Sequence, residues 1–135
     1  MPLDEEILGF SNRWYKPAMD AATELEIEPG LRVRVVTAPY FCATKLEAFR
    51  GRGKGDYLAS HDLEDLITVI DGRAELLEEL LAAPADVRSD VASAIGDMLK
   101  DSQFTDALPG YLLPDEASQG RTTLLLQRLK EISAL

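Results

Sequence analysis

Residues 39–70 read PYFCATKLEAFRGRGKGDYLASHDLEDLITVI: a helix, a basic glycine-rich loop and a second helix. The rest of the chain has to pack around this unit. It contains the single Cys and the single His, and the densest run of Lys and Arg in a protein of net charge −10.

The first helix is expected to start near Pro39, since a first-turn proline lacks only an N–H that would have no helical partner. Cys42, Leu46 and Phe49 then follow at i, i+4 and i+7, the spacing of a core-facing stripe. At roughly 100° per residue, Lys45 projects between Phe41 and Phe49, away from a wet side formed by Ala43, Thr44 and Glu47. Two fates fit such a lysine. Its stem snorkels to water, or its ammonium is partly buried and aimed at a phosphate or carboxylate. Cys42 on the stripe reads as a buried, inert thiol.

Gly51, Gly53 and Gly55 end this helix and alternate with Arg50, Arg52 and Lys54. Glycine lets a backbone approach an anion closely, and the cations would neutralise it. The GxxxxGK[ST] spacing of a Walker loop is absent, so GRGKG taken alone reads as a basic flexible surface loop. Ser60 is an N-cap candidate, with Asp62 in the first turn where the helix end is positive. Leu63, Leu66, Ile67 and Ile70 form the buried stripe of the second helix. Asp62 and Asp65 share another face, set either for salt bridges or for a metal ion with phosphate. His61, the lone histidine, is assigned to local hydrogen bonding, and no zinc spacing exists.

Before this unit, Leu25 and Ile27 alternate with Glu24, Glu26 and Glu28. Pro29-Gly30 turns the chain, and Arg32 and Arg34 alternate with Val33 and Val35. The pattern is a β-hairpin over about 24–37, with one apolar face and an opposite face that sets glutamates against arginines. A lone hairpin is marginal in water, so it is expected to pack on the helices or extend a larger sheet. Ser11 is expected to cap a short helix over 12–22 with Trp14, Tyr15, Ala18 and Met19 as its apolar residues. After the unit, Asp71-Gly72 signals a C-cap. A helix over 73–83 presents Leu76, Leu77, Leu80 and Leu81, and Pro84 stops it. Asp86 caps a helix over 87–100 with Val91, Ala94, Ile95, Met98 and Leu99 inward, in which Gly96 is unfavourable. A turn-rich segment over 102–114 is tied down by Phe104, Leu108 and Tyr111. The final helix is expected over 118–134 on Leu125, Leu129 and Ile132, with Leu124 and Leu126 widening its apolar arc.

The expected fold class is α+β and mainly α-helical, with a β-hairpin packed against five or six helices in a single domain over 1–135. Residues 1–38 supply a short helix and the hairpin, and 39–135 the helical part. At 135 residues and 46% hydrophobic content the chain can bury a modest core. Its negative charge argues against general nucleic-acid or membrane binding. No apolar run approaches the roughly 20 residues of a membrane span. Asp4, Glu5 and Glu6 stand where a signal peptide is basic, and one cysteine suits a reducing cytoplasm.

The stretch PYFCATKLEAFRGRGKGDYLASHDLEDLITVIDGR resembles the C-terminal signature of bacterial nucleotidyltransferase-like proteins of the abortive-infection toxin (AbiEii/AbiGii) type, in the DNA polymerase β-type nucleotidyltransferase superfamily. Members carry a hairpin strand, a helix with a Lys in a K-L-x-A setting, a basic linker, and a helix opening D-x-x-D-L. Lys45-Leu46-Glu47-Ala48 and Asp62-Leu63-Glu64-Asp65-Leu66 match those elements. EPGLRVRVVTAP before them and DALPG after them extend the likeness over most of the chain.

The resemblance implies that Lys45 contacts a nucleoside triphosphate, while Asp62 and Asp65 complete a later acidic motif that orients substrate or Lys45. By charge alone, Arg50, Arg52 and Lys54 are assigned to the phosphate entrance. The family's G-S helix, its D-x-D magnesium pair and a third carboxylate are not found upstream of Pro39, and the resemblance sets Met1-Pro2 at the end of the strand that would carry the third. The expectation is therefore the distal portion or split subunit of a nucleotidyltransferase-like protein, inactive alone. Magnesium and a nucleoside triphosphate would be used only with an N-terminal half. The alternative is a non-catalytic helical interaction module, antitoxin-like or a dimeric remnant, associating through the hairpin edge or the final helix.

Overall fold

The computed structural model describes residues 12–50, 60–112 and 114–135. Helix α1 (Tyr15–Ala21) precedes strands β1 (Thr23–Glu28) and β2 (Leu31–Val35). Helices α2 (Ala38–Ala48), α3 (His61–Gly72), α4 (Leu76–Ala82), α5 (Ala85–Leu99) and α6 (Ser102–Ala107) follow. A 3₁₀ turn (Leu108–Tyr111), α7 (Glu116–Gln119) and α8 (Thr122–Ser133) complete the described chain. The class is α+β and mainly helical.

The core lies where α2, α3, α5 and α8 meet, with α5 against α8 and α2 against both α3 and α5. Leu46, Leu63, Leu66, Ile67, Ile70, Ile95, Leu125 and Leu129 are fully buried there. The expected stripe of α3 is therefore its inner face. Ser60 caps α3: its Oγ accepts from the Leu63 backbone N–H at 3.2 Å. Pro39 sits in the first turn of α2, and Cys42, Leu46 and Phe49 are buried. Ala43 is buried as well, against the expectation of a wet position. Helix α2 is enclosed by neighbours over more of its girth than its large residues alone suggest.

Several boundaries differ from the sequence pattern, each for a local reason. Helix α3 runs through Gly72. Its end is closed by the Arg128 guanidinium, which donates to the carbonyl oxygens of Ile70 (3.1 Å) and Asp71, a cationic cap on the negative end of a helix dipole. Arg121 pairs with the Asp71 carboxylate beside it. Helix α4 is shorter than 73–83. It buries Leu76 and Leu80 but leaves Leu81 exposed, because leucines at successive positions cannot share one face. Asp86 lies inside the first turn of α5, where it accepts from the Val87 N–H at 2.8 Å, and Pro84 occupies the cap. The segment after α5 is more regular than expected: Asp101 caps α6 through the Gln103 N–H (2.9 Å), and Phe104 and Leu108 are fully buried. The final helix is divided at 120–121, and only α8 carries the buried stripe, with Leu124 outside it.

The hairpin has the expected antiparallel pairing: Thr23 opposite Val35, Glu24 opposite Arg34, Leu25 opposite Val33 and Glu26 opposite Arg32. Gly30 adopts φ +83° at the turn, a conformation that favours glycine. A bulge lies between Glu26 and Glu28. The expectation that the hairpin's apolar face packs on the helices is corrected. Leu25 and Ile27 are 55% and 60% exposed, Leu31 and Val35 are exposed too, and Val33 is half-buried. The hairpin joins the body at its base, where the Arg34 Nη2 donates to the Met19 carbonyl at 2.7 Å. Ser11 lies outside the described residues. Trp14, at the N-cap of α1, and Ala18 within it are buried, and Tyr15 and Met19 are exposed.

Candidate functional site

Lys45 comes from α2, and Asp62 and Asp65 from the first turns of α3. Asp62 and Asp65 are three residues apart, so they rise on one face of α3, and the packing of α2 on α3 brings Lys45 to that face. Its Nζ is 2.8 Å from Asp65 Oδ2 and 3.7 Å from Asp62 Oδ1, and 5.5 Å from the centroid of the Phe41 ring. The Lys45 side chain is 26% exposed. Asp62 is 13% exposed and Asp65 52%.

The three groups differ in chemical freedom. Asp62 is held in the structure beneath the ammonium, near the positive end of α3. Asp65 faces water and exchanges its partner at little energetic loss, since exposed pairs contribute about 0–1 kcal/mol. Lys45 is already bound on one side by carboxylate and on another by an aromatic ring, a cation–π contact. The cluster carries a formal charge of −1, so an incoming phosphate must take Lys45 from Asp65.

Arg50, assigned to the phosphate entrance by charge, does not join this cluster. Arg50 Nη2 binds Glu47 Oε1 at 2.8 Å and Asp90 Oδ2 at 3.2 Å. Arg52 and Lys54 lie outside the described residues. His61 is almost wholly exposed, with Nδ1 3.5 Å from Glu64. Cys42 is sealed in the core. Loss of hydration on burial, and secondly the nearby Glu79 carboxylate, push its thiol from 9.0 to about 12, so it is inert as a nucleophile at neutral pH. Among the described residues, no group of three or more His, Cys, Asp or Glu side chains converges to hold a metal. Asp62 and Asp65 face Lys45, so these residues alone do not fit a magnesium ion.

Two ion-pair systems were not foreseen from the sequence. Asp90 on α5 accepts from the Trp14 indole N–H at 2.8 Å and pairs with Arg13 and Arg50, fastening the segment before α1 and the end of α2 to α5. Arg73 grips Glu79 through two bonds of 2.5 and 2.8 Å. The Arg73 side chain holds the Glu79 carboxyl below its ordinary range, and Glu79 raises the guanidinium. The partners of Asp90 lie 40 to 77 residues away in the chain, a separation that no periodicity or short motif reports. Arg73 and Glu79 are six apart but flank a helix start, outside the i, i+3 and i, i+4 spacings that sequence inspection tests.

Among the described residues no helix is long and apolar enough to cross a membrane. Comparisons with protein-family models, with curated proteins and with solved structures yield no match.

Proposed function

We propose that this chain is the distal portion of a nucleotidyltransferase-like protein, with Lys45 as the phosphate contact, Asp62 as its positioning carboxylate and Asp65 as the partner that phosphate displaces. The convergence of Lys45 with both aspartates, 20 residues away in the case of Asp65, carries this reading. The resemblance had selected the same three residues. Phosphoryl and nucleotidyl transfer depend mainly on positioning and charge stabilisation, and a lysine held by one buried and one exposed carboxylate suits that task. The magnesium-binding carboxylates would come from a G-S and D-x-D half, in another segment or chain. Labelled-nucleotide transfer tests this: the chain alone is inactive, addition of such a half gives transfer, and Lys45→Ala then lowers it by about a hundredfold or more. Transfer undiminished in Lys45→Ala refutes the role given to Lys45.

The uncovered hairpin favours a second reading, a non-catalytic interaction module. Leu125, Leu129 and Ile132 are buried in the chain's own core, so the final helix has little apolar surface left for a partner. The hairpin keeps Leu25 and Ile27 exposed, and among the described residues no third strand covers either edge. A twofold dimer through β1 would set Glu24 and Glu26 against their own copies, and one through β2 would do so with Arg32 and Arg34, both unfavourable. A hetero-partner strand fits better than a self-pair. Light scattering showing a monomer, with no partner retained in a pull-down, counts against this reading.

A further inference from the structure

Every residue of β1 is exposed, and in β2 only Val33 is half-buried, so the hairpin stands clear of the helical body. Its two faces differ in what they still need. On the charged face Arg32 Nη1 donates to Glu24 at 3.4 Å, Arg34 donates to the Met19 carbonyl, and the Glu26 carboxylate accepts from the Gly30 N–H at 3.2 Å. Strand alternation puts Thr23, Leu25, Ile27, Leu31, Val33 and Val35 on the other face. There Leu25, Ile27, Leu31 and Val35 remain 42–60% exposed. A two-stranded sheet with one bare apolar face is marginal in water and needs a cover.

At its base this face opens into a cleft of about 340 Å³, which Thr23 and Val35 line together with Phe41 of α2, Val69 of α3 and the Arg73–Glu79 pair. An apolar cavity of about 150 Å³ holds a benzene ring, so the cleft has room for two aliphatic side chains. The hairpin tip offers two, Ile27 on β1 and Leu31 on β2. Each stands four residues from the base, about 14 Å along its strand. The hairpin therefore carries apolar knobs at one end and a receiving cleft at the other.

We infer that the hairpins of two copies of this chain stack face to face and antiparallel, each seating its Ile27 and Leu31 at the cleft of the other. A twofold axis between the sheets, level with Leu25 and Val33, puts Ile27 over Thr23 of the second copy and Leu31 over its Val35. The helical bodies lie at opposite ends. Glu24, Glu26, Arg32 and Arg34 point outward, so the like-charge contacts that disfavour edge pairing do not arise. The product is a two-layer, four-stranded packing at the roughly 10 Å spacing of stacked sheets. It forms whether or not Lys45 meets a phosphate. Two strands about 4.8 Å apart and six residues long present a face of about 10 by 20 Å, well below the roughly 800 Å² per partner of a standard interface. Two copies of net charge −10 also repel each other. The dimer is therefore weak, and it tightens with salt, which screens that repulsion.

Sedimentation equilibrium of the full chain up to about 1 mM, at low salt and at roughly 0.5 M, tests this on wild type, Ile27→Lys, Thr23→Trp and Glu26→Gln. All three positions are exposed, so the variants keep the melting curve of the wild-type monomer. The wild type is expected to dimerise with a dissociation constant on the order of 100 μM at the higher salt. Ile27→Lys removes a knob and Thr23→Trp blocks the place where it seats. Each acts twice in a twofold interface and raises the constant at least tenfold, whereas Glu26→Gln changes it by less than twofold. A chain that stays monomeric at both salts overturns the dimer and leaves the apolar face to another protein. A dimer indifferent to Ile27→Lys and Thr23→Trp, or one strengthened by Glu26→Gln as an edge pair is, overturns it as well.

Discussion

Cys42 is expected to make this protein's stability fall above pH 9 in a way its alanine variant does not share. The thiol is buried between Leu46 and its neighbours in the core, and its proton is held from 9.0 up to about 12. The folded state thus binds that proton more tightly than the unfolded chain. The stabilising contribution is fully present below pH 9 and is lost as pH rises from 9 toward 12, because unfolding then releases a proton. At pH 10 the loss amounts to about 1 kcal/mol, and it grows as pH rises further toward 12. Urea unfolding at pH 8 and pH 10, on wild type and Cys42→Ala, isolates the effect: the wild type should lose about 1 kcal/mol more than the variant over that interval. Thiol labelling gives an independent reading. At pH 8 a thiolate fraction of about one in ten becomes about one in ten thousand, so a disulfide reagent reacts about a thousandfold more slowly even before burial excludes it. Equal pH sensitivity in wild type and Cys42→Ala, or labelling of the folded protein at the rate of the unfolded chain, refutes the reasoning.

Gly96→Ala is expected to stabilise the fold by about 0.5–1 kcal/mol, since an added Cβ meets only Ser133 Cβ at an ordinary 3.7 Å; a lower melting temperature contradicts this. Ser60→Ala removes the N-terminal side-chain cap of α3 and should lower stability by about 1 kcal/mol in chemical denaturation, with Ser60→Asp restoring most of it.

The part of the fold most legible in the sequence is the part where one residue does one thing. Leu63, Leu66, Ile67 and Ile70 recur at a single period, and all four are buried as expected. Ser60 has one acceptor and one available N–H. Ambiguity enters where apolar residues exceed one helical face. Leu81 and Leu124 read as inward by hydropathy, but Leu80 and Leu125 occupy the inward direction first. Ala43 is too small to register as core by pattern, and only the closeness of neighbouring helices buries it. Gly72 signals a terminus, yet the end of α3 is set by Arg128, which arrives from α8. The alternation of the hairpin gives its register and its two faces, but alternation says nothing about whether another surface covers the apolar one. The candidate site shows the same division. Lys45, Asp62 and Asp65 stand out by position on their helices. Their meeting depends on how α2 lies on α3, and the exclusion of Arg50 depends on Asp90, a residue on a third helix.

The Arg128 contact makes completion of the cluster a late event in the life of each molecule. Asp71, whose carbonyl Arg128 closes, precedes it by 57 residues. As the chain leaves the ribosome, Lys45, Asp62 and Asp65 emerge well before the side chain that seals the end of α3. Until then the last carbonyls of α3 are left to water, and its inner leucines lack the surface of α8. A nascent or clipped chain thus carries Lys45, Asp62 and Asp65 but not the side chain that closes the far end of α3. The end of α3 thus depends on a residue made 57 positions after the carbonyl it closes.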